Sequence, residues 1–159
     1  MTAVSVGAVS PGRDRISCRR SRVSSALRRQ EILSRPGGTA PGLTAVITEA
    51  SLQYQWGYRA ERRGQIEHLV DMARRPNVGL HIQRFTDGPP PGLSSAINIF
   101  DFSEGEPPVA FTETDFAVVE VNEAEQVSRY IQSFEKAVDG ALEPSDTAIY
   151  LRQLADQLE

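Results

Sequence analysis

The side chains best suited to acid–base chemistry are the two histidines, His68 and His81. His68 precedes Asp71 by three positions, a spacing that brings both side chains to one helix face and would let the carboxylate orient the imidazole as a general base. No nucleophile in a recognisable context accompanies this pair, so an ordinary helix-surface pair is the favoured interpretation. The pattern therefore predicts no catalytic residues.

The two histidines and Cys18 are the only soft metal ligands in the chain. A structural zinc site usually takes four Cys or His ligands in short paired spacings, and neither the number nor the spacing is present, so we expect no metal site. The sequence also lacks the glycine loops that bind phosphates, the nucleophile elbow of hydrolases and the zinc-binding helix motif. We accordingly expect no bound cofactor and no enzymatic activity.

The aromatic residues Trp56 and Tyr58 are the feature most suited to binding. Their rings can stack on a ligand or partner, and the competing interpretation is a loop whose aromatic rings close over the core. His81 projects from the polar side of its strand, and Pro91 and Gly92 lie in a proline-rich loop. We take these five residues as candidate contacts to a ligand or partner.

Charge is distributed unevenly along the chain, whose net charge is -4. Residues 1–35 contain eight arginines and two acidic residues, whereas residues 76–159 contain four basic and fifteen acidic residues. The acidic part would repel a nucleic acid backbone, so only the basic arm suits phosphate contacts. Because that arm contains no recognition helix preceded by a helix and turn, we expect no base-specific DNA binding by this chain alone.

The first 25 residues show no sustained apolar period, which predicts a flexible basic arm. Their composition fits an organelle-targeting peptide, and a wrongly assigned start or a truncated gene would produce such a stretch equally well. The chain contains no apolar block of the length of a membrane span, and its single cysteine excludes an internal disulfide. We therefore expect a cytoplasmic protein, away from membranes, with its folded domain at residues 26–159.

The elements that must position these residues begin with a short amphipathic helix at 25–34, a strand at 43–48 and one or two helical turns at 49–54. Pro76 ends the longer helix that follows. That helix presents four apolar side chains on one face: Ile66, Leu69, Val70 and Ala73.

Four further strands are predicted in the middle of the chain. Alternating apolar and polar residues predict a half-buried strand at 78–85, and the three prolines of the next loop delay the following strand to 95–102. Strands at 109–113 and 116–121 are joined by short polar segments, which favour antiparallel neighbours. The sequence therefore predicts a meander.

Two closing helices have the clearest signals in the sequence. Asn122 is the predicted N-cap of the first, with Glu125 three residues later, and Gly140 ends it. After Pro144, Ser145 is the predicted N-cap of the second. The apolar face of the first consists of Val127, Tyr130, Ile131, Phe134 and Val138. We therefore predict an α+β fold: a mainly antiparallel sheet of about five strands, helices packed on it and two closing C-terminal helices.

Five segments, in unbroken order from about residue 26 to residue 159, are together similar to a known family. They are LRRQEIL (27–33), LTAVITEASL (43–52), QIEHLVDMARRPNVGLHIQRF (65–85), PPPGL (89–93) and VSRYIQSFEKAVDGALEPSD (127–146). The chain resembles the C-terminal domain of unknown function of actinomycete xenobiotic-response-type helix-turn-helix regulators of the Scr type, often described as antitoxin-like. The most specific part of the resemblance is residues 65–85.

The resemblance implies a transcription regulator whose N-terminal helix-turn-helix reads DNA while this domain binds a partner, commonly a small protein encoded nearby. This chain begins where the DNA-binding half would already have ended, so DNA would be reached only through a domain absent from it. We therefore expect a non-catalytic regulatory domain that binds a small partner protein, an effector or a second copy of itself. The alternative is a small-molecule-sensing domain with a pocket between the sheet and the helices.

Overall fold

A computed structural model of the chain describes residues 2–3, 28, 30–36, 38–89, 96–102, 105–114 and 116–158. Apart from Thr2–Ala3, the predicted basic arm lies outside these residues and stays a prediction. Only part of the helix predicted at 25–34 is described. Its residues 28, 30 and 31 are helical, and the 3-10 turn Ile32–Ser34 follows them.

The strands and helices lie close to the predicted positions. The strands of the described residues are β1 Thr2–Ala3, β2 Gly42–Thr48, β3 Val78–Gln83, β4 Ala96–Asp101, β5 Val109–Glu113 and β6 Val118–Val121. The main helices are α1 Glu49–Gln53, α2 Arg59–Ala73, α3 Ala124–Asp139 and α4 Pro144–Asp156. The prediction of β5 is confirmed at both ends, whereas β6 begins at Val118, two residues later than predicted.

The strands form two small sheets that β1 connects. β2 and β3 form a parallel pair, and β4, β5 and β6 form an antiparallel meander. The two-residue strand β1 pairs with β2 in parallel and with β4 antiparallel, which gives the order β3-β2-β1-β4-β5-β6. The mixture of helices and strands fits the predicted α+β class, but the prediction of one mainly antiparallel sheet of five strands is wrong.

The reason for the parallel pair is the connection between β2 and β3. The chain leaves β2, forms α1 and α2, and returns to the edge where β2 began, where Leu43 N donates to the Asn77 carbonyl (2.8 Å). A crossover of this kind makes the second strand run parallel to the first. The consequence for function is that the carboxyl ends of β2 and β3 meet at one edge.

Helices cover both faces of the parallel pair. On one face, apolar residues of β2 and β3 pack against α2 and α4 in a core of Ala45, Ile66, Val70, Leu80, Ile82, Leu151 and Ala155. On the other face, Val46 joins the meander and α3 in a core of Ile97, Ile99, Ala110, Val121, Val127, Phe134 and Ala137. Both faces of this sheet are therefore removed from solvent.

Three local predictions are wrong. β3 is buried on both faces rather than half-buried, because the α3–α4 connection covers the side that carries His81 and Gln83, with Leu142 against His81 and Gly140 beside Gln83. The N-cap of α3 is Glu123 rather than Asn122. α4 begins at Pro144 itself, so Ser145 lies inside the helix; proline suits the first position because a helix leaves that N–H unpaired in any case.

Candidate functional site

The carboxyl edge of β2 and β3 brings polar and aromatic side chains together. Glu49, the first residue of α1, directly follows β2, while Arg84 and Phe85 directly follow β3. Parallel strands place such residues at one edge, which is where open parallel sheets commonly bind ligands. We therefore describe this edge first.

Glu49 ties the elements of this edge together. Its Oε1 accepts a hydrogen bond from Gln53 Nε2 (2.8 Å), and its Oε2 accepts one from the backbone N–H of Phe85 (2.8 Å). Burial, and secondly the hydrogen bond and negative charge of Glu49, raise the pKa of Tyr150 on α4 to about 12. One carboxylate thus connects α1 with the end of β3.

Arg84 and Asp87 form an ion pair beside Glu49. Asp87 accepts from Arg84 Nη2 (2.7 Å), from Arg84 Nε (3.1 Å) and from the Arg84 backbone N–H (2.9 Å). These hydrogen bonds lower the pKa of Asp87 and raise that of Arg84. Because Arg84 and Asp87 are hydrogen-bonded to each other across the 3-10 turn Phe85–Asp87, they fix this turn and with it the position of Phe85. We call Glu49, Arg84 and Asp87 the polar group.

Four large aromatic side chains on the segments that follow Glu49 and Arg84 are exposed to solvent. We call them the aromatic surface: Tyr54 is 65% exposed, Trp56 46%, Tyr58 80% and Phe85 64%. Glu49 accepts hydrogen bonds from Gln53, which directly precedes Tyr54, and from the backbone N–H of Phe85. One carboxylate therefore connects the segments that carry Tyr54 and Phe85. Aromatic residues are enriched in protein interfaces and are seldom left exposed in groups on monomers.

A depression lies within the aromatic surface at the start of α2. It is lined by Trp56, Gly57, Tyr58, Glu61 and Gln65. The Glu61 carboxylate folds back so that its Oε2 accepts from the Tyr58 backbone N–H (2.9 Å). Glycine is needed at position 57 for two reasons. Gly57 has a φ of +58°, which favours glycine, and a Cβ there would collide with Glu61 Oε2.

The structure brings two of the five candidate contact residues together. Trp56 and Tyr58 both line the depression, and both face solvent rather than closing over the core. Pro91 and Gly92 lie outside the described residues, so their candidacy stays a prediction. The depression lies at the surface beside α2. The pocket predicted for a small-molecule sensor is in a different place, between the sheet and the helices.

His81 does not lie on a polar, solvent-facing side of its strand. It is 6% exposed, and its Nδ1 donates to the carbonyl of Leu142 (3.1 Å), which therefore fixes the proton on Nδ1. The Leu142 carbonyl also accepts from Thr147 Oγ1 (3.2 Å), and the Leu142 N–H donates to the Ile82 carbonyl (2.9 Å). In this structure His81 anchors the α3–α4 connection to β3.

The other residues considered for chemistry have ordinary surroundings. Asp71 pairs with Arg74 (3.0 Å), one turn from His68 on α2. Among the residues that the structure describes, no group of three or more His, Cys, Asp or Glu side chains is placed to hold a metal ion. None of the helices in that part of the chain is long and apolar enough to cross a membrane.

Sequence reasoning missed Tyr54 and Phe85, and it missed the polar group formed by Glu49, Arg84 and Asp87. The alternation Tyr54, Trp56, Tyr58 was a usable signal, because residues at every second position of an extended segment face the same side and can form one aromatic patch. No local signal marked Phe85. Its place beside Tyr54 depends on Glu49, which lies 36 positions earlier in the chain.

Comparison with known proteins gives one match. A family model described as a domain of unknown function (DUF5753) matches residues 3–153, which is almost the whole chain. No curated protein and no solved structure matches the chain.

Proposed function

We propose that this chain, which belongs to the DUF5753 family of domains of unknown function, is a non-catalytic regulatory domain that binds a small partner protein through the aromatic surface. Its place would be in a transcription regulator of the xenobiotic-response type, in which a separate helix-turn-helix domain reads DNA. The proposed partner is a small protein encoded beside the gene.

The observation that carries this proposal is the exposure of Tyr54, Trp56, Tyr58 and Phe85 at one edge of the sheet. Covering such rings removes apolar area from water at little cost in side-chain freedom, which is why Trp and Tyr dominate binding energies at interfaces. The surface is also held in place before any partner arrives. Glu49 fixes its Phe85 end and Glu61 fixes its Tyr58 end.

The regulatory assignment has two further supports. The sequence resembles the C-terminal domain of helix-turn-helix regulators over most of its length. In addition, residues 76–159 carry eleven more acidic than basic side chains, a balance that disfavours contact with a nucleic acid backbone. Both supports favour a domain that works through a protein contact while another domain contacts DNA.

The test is a binding measurement with the small proteins encoded by the neighbouring genes. Calorimetry with the wild-type chain should give a complex with a Kd in the micromolar range or tighter. Trp56→Ala should weaken it about 30-fold, as expected for an aromatic residue that contributes about 2 kcal/mol. Phe116→Ala is the control, because Phe116 is another large aromatic, 98% exposed, on the β5–β6 hairpin.

Two results would overturn the proposal. One is the absence of a complex with any neighbouring protein at micromolar concentration. The other is a complex that Trp56→Ala and Phe116→Ala weaken equally. Sedimentation of the chain alone is measured beside these, because self-association through the aromatic surface would show a second copy as the occupant.

A small-molecule sensor is the second candidate, and the depression beside Trp56 is the observation that favours it. The two candidates differ in the area involved. A small molecule held by the depression would contact Trp56 and Tyr58 and leave Phe85 exposed, whereas a protein would cover all three. A Phe85→Ala variant that loses binding therefore favours the protein partner.

A further inference from the structure

We infer that the depression beside Trp56 receives an arginine side chain of the partner protein. This inference rests on the proposed function, since it names the group with which the partner would enter the aromatic surface. It is carried by the combination of two exposed rings and one immobilised carboxylate at a single place.

The carboxylate is that of Glu61. One oxygen, Oε2, is occupied by the Tyr58 backbone N–H at 2.9 Å. In the described part of the chain, no donor reaches the other oxygen, Oε1. A carboxylate held by one oxygen has already lost most of its rotational freedom, so an incoming cation would not have to order it.

The charge of the depression is negative. Glu61 is the only charged residue among the five that line it. Two of the neighbouring arginines of α2 have partners outside the depression: Arg59 Nη2 donates to the Gln157 carbonyl (3.0 Å), and Arg63 Nε pairs with Glu67 (2.9 Å). Arg62 lies about 100° around the helix from Glu61. A cation therefore meets one unneutralised carboxylate here.

The rings favour a flat cation over a compact one. A guanidinium can lie on the face of Trp56 or Tyr58 and still direct N–H groups sideways to a carboxylate, which an ammonium does less well. Gln65 adds a side-chain amide to the wall of the depression, one turn of α2 beyond Glu61. Gly57, which also lines the depression, adds no side chain to it.

The inference is tested without the partner, by using small arginine analogues. Trp56 is the only tryptophan in the sequence, so its indole N–H gives a single resonance in a two-dimensional NMR spectrum. The full chain is titrated with N-acetyl-arginine amide and, at equal ionic strength, with N-acetyl-citrulline amide, which has nearly the same shape without the charge. The arginine analogue should bind about three- to ten-fold more tightly than the citrulline analogue, the combined effect of a cation–π contact and one exposed ion pair.

Two variants separate the charge of Glu61 from its capping role. Glu61→Gln keeps an oxygen that can accept the Tyr58 N–H, and it should lower the affinity for the arginine analogue about two- to five-fold. Glu135→Gln is the control, because it removes the same charge from an exposed position on α3, outside the depression and away from the arginines of α2, and should leave the affinity unchanged. A thermal melt of each variant checks that the fold is retained.

The outcomes distinguish this inference from the proposed function. Equal binding of the two analogues to the wild-type chain would overturn the inference, whatever the variants do. So would a Glu61→Gln variant that binds the arginine analogue as well as Glu135→Gln does. In either case a partner complex that depends on Trp56 and Phe85 would still support the proposed function, whereas a complex indifferent to both would refute the proposed function even where the depression binds the arginine analogue.

Discussion

Replacing two glycines of the same helical region by alanine should change stability in opposite directions. Gly57 has a φ of +58°, and a Cβ there would collide with Glu61 Oε2. Gly64 lies inside α2, and nothing stands within 4 Å of the position its Cβ would take. The two substitutions add the same methyl group, so the difference between them reports on backbone conformation and local space alone.

The expected magnitudes follow from these surroundings. In Gly57→Ala, the left-handed conformation costs an alanine about 1–2 kcal/mol. Displacing Glu61 from the Tyr58 N–H costs about 1 kcal/mol more, the usual loss of a helix cap. We therefore expect Gly57→Ala to lower the free energy of unfolding by about 2–3 kcal/mol. Gly64→Ala should raise it by about 0.5–1 kcal/mol, because alanine restricts the unfolded chain and has the higher helix propensity.

The assay is urea denaturation followed by circular dichroism, which reports on the whole fold rather than on the environment of Trp56. In a thermal melt the same changes correspond to a fall of about 4–12 °C for Gly57→Ala and a rise of about 1–4 °C for Gly64→Ala. A Gly57→Ala variant within about 0.5 kcal/mol of wild type, the range of ordinary surface substitutions, would refute the positive φ and the position assigned to Glu61.

Three further predictions concern the core and the polar group at the sheet edge. Phe134→Ala should lower the free energy of unfolding by about 3–5 kcal/mol in urea denaturation, because Phe134 packs in the core between α3 and the meander; a loss below about 1 kcal/mol, the mean for point substitutions generally, would place it outside that core. Since hydrogen bonds from Arg84 lower the pKa of Asp87, the stability they contribute is fully present above about pH 4 and is lost as the pH falls through the lowered pKa. Acid unfolding curves of wild type and Asp87→Asn should therefore converge at low pH, and a gap between them that persists there would contradict the Arg84–Asp87 pair. The pKa of Tyr150 is raised to about 12, so the stability linked to its neutral form is present below about pH 10 and is lost as the pH rises towards 12. An ultraviolet titration should show a phenolate step near pH 12 that Tyr150→Phe removes, and a titration curve that Tyr150→Phe leaves unchanged would contradict the raised pKa of Tyr150.

Local patterns predicted those elements whose signals are contained within a few residues. The boundaries of β5 and the apolar face of α3 follow from short-range periodicity, and both were predictable. The pairing of β2 with β3 was not, because strand direction depends on where α1 and α2 return the chain. Short joins elsewhere in the sequence favoured a meander, and that expectation holds only for β4 to β6.

The burial of His81 is another feature that local sequence patterns could not predict. Alternation along β3 indicated one polar face, but the face carrying His81 is covered by the α3–α4 connection, in which Leu142, 61 positions later, supplies its hydrogen-bond acceptor. Only part of the proposed binding surface could be predicted, because the rest depends on a contact between residues far apart in the sequence. Trp56 and Tyr58 stand out as aromatics in a short loop, whereas Phe85 joins them only because Glu49 binds its backbone N–H.

The most direct test of the proposed binding surface is the accessibility of Trp56 in the complex. Trp56 is the only tryptophan in the sequence, so acrylamide quenching of tryptophan fluorescence reports on it alone if any tryptophan of the neighbouring protein is first replaced by phenylalanine. Binding of that protein should lower the quenching constant several-fold, because the 46% of Trp56 that is exposed becomes covered. A complex in which acrylamide quenches Trp56 as strongly as in the free chain would contradict the account.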